Sequence, residues 1–82
     1  MQLCRVTGNA VATVKAPGLG DFKLLRVRPE EKGAAEFVAV DAVGAGEGDL
    51  VLVALGTAAR ELEATAGAPT DATVVAILDP QR

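Results

Sequence analysis

Few side chains in this sequence could do chemistry. Catalysis needs a nucleophile with a base, a tuned acid–base pair, or a bound metal. The chain has no histidine and one cysteine, Cys4. The usual base is therefore missing, and a Cys/His metal site is nearly excluded. Cys4 lies in Leu3-Cys4-Arg5-Val6 with no partner nearby in sequence, and it reads as a packed or surface residue. Asp41 and Asp49 flank the loop Gly44-Ala45-Gly46-Glu47-Gly48 and could be imagined as a carboxylate pair. They read better as strand-end and turn residues. The expectation is a chain with no catalytic residues, no metal and no cofactor.

The glycine loop invites a phosphate-binding reading. Such loops carry Gly-Lys-Ser/Thr, or open a helix whose N-terminus meets the phosphate. Here the loop leads into the apolar run Asp49–Leu55, and Glu47 and Asp49 would repel an anion. Its glycines fit a tight loop or a close backbone approach. Gly56-Thr57-Ala58-Ala59-Arg60 could offer free N–H groups to an anion, but it reads first as a capped helix start with a surface arginine. Arg60 could pair with an acid of a neighbouring subunit.

The elements that must position these residues are mostly strands. Turn signals recur at Gly8-Asn9, Pro17–Gly20, Pro29–Gly33, Gly44–Gly48 and Gly67-Ala68-Pro69. Leu3–Thr7 and Ala10–Lys15 read as one long strand with a kink or bulge at Gly8. Phe22–Arg28, Glu36–Asp41, Asp49–Leu55 and Ala72–Asp79 read as four more. One helix is expected after Thr57, through Ala58–Ala64, stopped by Gly67. The sum is an all-β, single-domain chain over residues 1–82: a small five-stranded barrel with one short helix between the fourth and fifth strands.

Two of these strands do not alternate between apolar and polar. Asp49–Leu55 places Leu50, Leu52 and Ala54 on one face and Val51, Val53 and Leu55 on the other. Ala72–Asp79 places Val74, Ala76 and Leu78 on one face and Val75 and Ile77 on the other. Strands of this kind need cover on both faces. One helix of about two turns cannot supply it, so the second face is expected to meet another subunit.

Composition agrees with assembly. An 82-residue chain buries a modest core and commonly needs disulfides, metal or oligomerisation. One cysteine excludes an internal disulfide and fits a reducing compartment. No apolar run approaches the ~20 residues of a membrane span, and Met1–Arg5 does not begin a signal peptide. The net charge is −3, unevenly placed. Residues 1–29 hold Arg5, Lys15, Lys23, Arg26 and Arg28 against Asp21, whereas residues 30–82 hold Lys32, Arg60 and Arg82 against ten acids. A head-to-tail ring could pair the two halves. Five strands and a helix also suggest a free OB-like module for single-stranded nucleic acid. That function uses stacking aromatics on a basic groove, and this acidic chain has only Phe22 and Phe37.

The sequence resembles the EutN/CcmL family of bacterial microcompartment vertex proteins. The resemblance starts at Met1-Gln2-Leu3-Cys4-Arg5-Val6-Thr7-Gly8 and passes through Lys23-Leu24-Leu25, Val40–Gly46 and Val51-Leu52-Val53. It resumes at Gly56-Thr57-Ala58-Ala59-Arg60 and ends with Thr70–Asp79. It implies an OB-like barrel, a homopentamer, and a place at the vertices of a polyhedral shell in the bacterial cytoplasm. Hexameric shell proteins are the implied partners, without nucleic acid or membrane. Combined with the strand pattern, it makes Gly44, Ala45, Gly46, Glu47, Arg60, Val51, Val53, Val75 and Ile77 the candidate interface and axis residues. The chain departs from relatives in a short Arg28–Phe37 stretch and in a C-terminus that stops at Asp79-Pro80-Gln81-Arg82.

Overall fold

A computed structural model describes residues 1–12, 15–19 and 22–79. Five strands form a closed barrel: β1 (Gln2–Ala10), β2 (Leu24–Pro29), β3 (Phe37–Asp41), β4 (Leu50–Leu55) and β5 (Ala72–Leu78). Their order round the barrel is β1-β2-β3-β5-β4. Every pairing is antiparallel except β3 with β5, which is parallel. The expected all-β barrel is the fold observed; β1 stops at Ala10, five residues short of the expected Lys15, and the other strand ends are displaced by at most two residues. Thr13 and Val14, within the expected extension of β1, and the C-terminal Pro80, Gln81 and Arg82 lie outside the described residues.

β1 bends where expected. Its register with β2 runs Val6↔Val27 and then Gly8↔Arg26, so Thr7 is the extra residue of a bulge. The guanidinium of Arg26 lies across Gly8, in the space a Cβ would fill. A close approach of this kind is what a strand glycine permits.

The core is made of the inward rows. Cys4, Val6, Leu25, Val27, Ala39, Val51, Val53, Ala72 and Val74 are buried there, joined by Ala45 from the glycine loop and flanked by Phe37. A side chain sealed as Leu25 is contributes roughly 1.5–3 kcal/mol relative to exposure. Cross-strand register defines the other side. Leu3↔Leu52 and Leu52↔Ala76 form one outward row, and Arg5↔Leu50 and Leu50↔Leu78 form the next.

The expected helix is replaced by two 3₁₀ turns, Gly56–Arg60 and Glu63–Thr65. Thr57 does not cap, because the turn begins after an extended Leu55 with no side-chain cap. The bonds Glu61 N–H to Ala58 O, Thr65 N–H to Leu62 O and Ala68 N–H to Thr65 O all span three residues. An α-helix would need Ala59 O to accept from the N–H of Glu63. That carbonyl is taken instead by the hydroxyls of Thr65 and Thr73, each at 2.8 Å. The turns therefore lie over the outward side of Ala54 and Thr73, which explains why both are buried despite facing out.

Candidate functional site

The glycine loop is held by two carboxylates. Asp41, at the end of β3, accepts N–H bonds from Val43, Gly44 and Ala45 at 3.0–3.2 Å. Lys23 Nζ stands 3.5 Å from Asp41 Oδ2 and donates to Ala45 O at 2.6 Å. Asp49 Oδ2 accepts from Gly46 N–H at 2.9 Å. Both carboxylates are thus turn residues, as their positions suggested, and each accepts from backbone donors of the loop. Gly44 and Gly48 hold positive φ values of 82° and 91°, which the turn requires.

Three candidate interface residues are corrected by this geometry. Val51 and Val53 are fully buried and point into the barrel, as their pairing with other core strands dictates. Ala45 is also fully buried, drawn down by the Asp41 cap. None of the three can touch a second subunit. The accessible candidates are Gly44, Gly46 and Glu47 on the loop, Arg60, and Val75 and Ile77 on β5. Ile77 is 45% exposed.

Sequence reasoning missed the apolar side chains that face outward next to those valines. Leu3 is exposed, and Leu50, Leu52, Ala76 and Leu78 are half-buried on the outward rows. Arg5 and Thr7, polar and alternating with Cys4 and Val6, were the signal that identifies the outer face of β1. Pairing then carries that face to Leu52 and Leu50.

Charge is used largely within the protomer. Arg5 pairs with Glu30 at 2.9 Å, Lys23 with Asp41, and Arg28 with Glu36 at 3.6 Å. Of the five cations in residues 1–29, these ion pairs engage three. Lys15 Nζ donates to Phe22 O at 2.7 Å. Arg60 is exposed and enters none of the ion pairs found among the described residues. Cys4 is buried, and that burial pushes its thiol pKa up, with the charge of Glu30 adding to the effect. Among the described residues no group of three or more Cys, Asp or Glu side chains is placed to hold a metal. No helix among them is long and apolar enough to cross a membrane.

The sequence model of the family described as "Ethanolamine utilisation protein EutN/carboxysome" matches residues 1–79. The chain belongs to the EutN/CcmL family. It is 42% identical to the bacterial microcompartment shell vertex protein PduN of Salmonella typhimurium, with 96% of each chain covered. It is 46% identical to the carboxysome shell vertex protein CcmL of Synechocystis, over 96% of this chain and 83% of that one. The fold superimposes with a TM-score of 0.87 on the pentameric shell protein MSM0273 from the RMM microcompartment. That match has 30% identity and covers all of this chain and 94% of the other. EutN/CcmL relatives are structural shell proteins, not enzymes, and the chain shares that structural role rather than a nucleic-acid-binding one.

Proposed function

We propose that the chain forms a homopentamer that closes the vertices of a bacterial microcompartment shell. The observation that carries this is the apolar outer side of β1, β4 and β5 in a chain whose core is already complete. Leu3, Leu50, Leu52, Ala76 and Leu78 face outward while Cys4, Val51 and Val74 fill the interior. A free monomer gains nothing from two leucine-bearing outward rows, whereas a ring buries them. Full-length likeness to shell vertex proteins, and to a pentameric one, supports the stoichiometry.

In this reading Val75 and Ile77 extend the contact along β5. Gly44, Gly46 and Glu47 border the ring, and Arg60 faces an acid of the next copy. The pentamer's rim meets hexameric shell proteins in the cytoplasm of the host bacterium. Light scattering and native mass spectrometry test the ring: five copies are expected, and a monomer at micromolar concentration overturns it. Cells lacking the chain and any second vertex protein are expected to make elongated or unclosed shells. Closed polyhedra in those cells would refute the vertex role.

A further inference from the structure

The barrel closes through a short seam. β3 and β5 pair at Val40↔Thr73 and Asp41↔Val74 and at no other position. Backbone groups on β3 alternate in direction. Asp41 N–H donates to Lys23 O on the β2 side, so Phe37 and Ala39 also address β2, while Val38 and Val40 address the other side. Val40 meets Thr73. Continued in parallel register, the Val38 main chain would bond Thr70 C=O and Ala72 N–H, but the ladder ends at Thr73, and Ala72 N–H donates to Thr70 Oγ1 at 3.2 Å instead. Among the described residues the main chain of β3 is therefore open at Val38. A cleft of about 380 Å³ lies there, lined by Gln2, Phe37, Val38, Leu55, Asp71 and Ala72.

The other end of the seam shows the reverse. Pairing to β3 stops at Val74, yet β5 continues to Leu78. Among the described residues, Val75–Leu78 have β4 along one edge and no strand along the other. Each open edge carries an exposed β-branched side chain: Val38 is 49% exposed and Ile77 is 45% exposed.

We infer that these two edges are the halves of one contact, in which Val75–Leu78 of one copy pairs as a strand with the Val38 edge of the next. This inference rests on the ring proposed above. The two edges cannot meet within a chain, because Thr73 and Ile77 are separated by four strand residues, roughly 13 Å. The occupant is a second copy, because Ala76 and Leu78 beside Ile77 belong to the outward apolar rows assigned to the ring. The paired edges continue that surface. Contacts between different surfaces of identical chains close rings when the rotation permits. Main-chain bonding of an added strand then fixes register, while Ile77 and Val38 bury their exposed sides. Left unpaired, such edges are templates for uncontrolled association.

Val38→Pro removes an N–H for which no partner is found among the described residues, at an edge position where proline is tolerated. Val38→Thr keeps the N–H and the β-branched shape. Native mass spectrometry over a dilution series should show V38T assembling like the wild type. V38P should need roughly tenfold more protein to assemble, as expected for losing one hydrogen bond per contact. Hydrogen exchange on the wild-type ring should show slow amides at Val38 and Ile77. If V38P does not fold, this exchange measurement decides alone. Fast exchange at both amides in an intact ring, or V38P rings at wild-type concentrations, overturns the strand pairing and leaves the ring standing. A wild-type monomer overturns both.

Discussion

The two sides of β4 have similar composition and different duties. Val51 and Val53 are sealed in the barrel, while Leu50 and Leu52, their immediate neighbours in sequence, lie half-open on its outside. Hydrophobicity therefore does not separate a folding residue from an assembling one in this chain. Direction does, and direction is fixed by cross-strand register. The inner row makes the protomer, and in the ring proposed above the outer row is the surface that associates.

The sharpest way to break this comparison is to put the same charge on each side. Val53→Asp places a carboxylate in the sealed apolar interior, and should remove more than about 4 kcal/mol of stability in denaturant titration. A wild-type midpoint would mean that the inner row is not the core. Leu52→Asp should leave the far-UV spectrum of the protomer intact and raise the concentration for half-assembly by roughly tenfold or more. If L52D assembled normally, the outer row would have no part in the ring.

Smaller effects sharpen the roles of the connections. Asp41→Ala strips the acceptor from three loop N–H groups and should cost about 1–3 kcal/mol, seen as a lower thermal midpoint. Asp41→Asn should recover part of it. Thr73→Val removes one of two hydroxyls on Ala59 O and should cost about 1 kcal/mol. The least effect concerns Cys4. Its thiol pKa is raised in the fold, so the unfolded chain releases the proton first as pH rises. Stability should therefore decline once pH passes the ordinary thiol value, and Cys4→Ala should flatten that part of the profile. Equal slopes for wild type and C4A between pH 8 and about 10 would remove the effect.

These contrasts explain what the sequence made legible. The five strands were readable because β-branched runs sit between glycine and proline turns, and Gly8 marked its own bulge. The roles of Asp41 and Asp49 were readable from their places at strand ends. The helix was misread because propensity at Ala58–Ala64 is local, whereas the competitor for Ala59 O is Thr73, fourteen residues away. Val51 and Val53 were misassigned because a strand apolar on both sides gives no phase. In β5 the register shift opposite Leu52 and Val53 breaks the two-residue period as well, so counting from Val74 does not predict which way Ile77 faces. The open seam was invisible in sequence, since it depends on β3 ending where β5 is only beginning.

The guanidinium that lies across Gly8 links two positions far apart in the chain. Position 8 can accept a side chain only if Arg26 swings off the barrel wall, and a shorter residue at 26 would leave the glycine bare. Substitutions at the two sites are therefore expected to travel together as the family diverges. A collection of vertex sequences in which residue 8 gains bulk while residue 26 keeps its long cation would have to show that arm lying elsewhere.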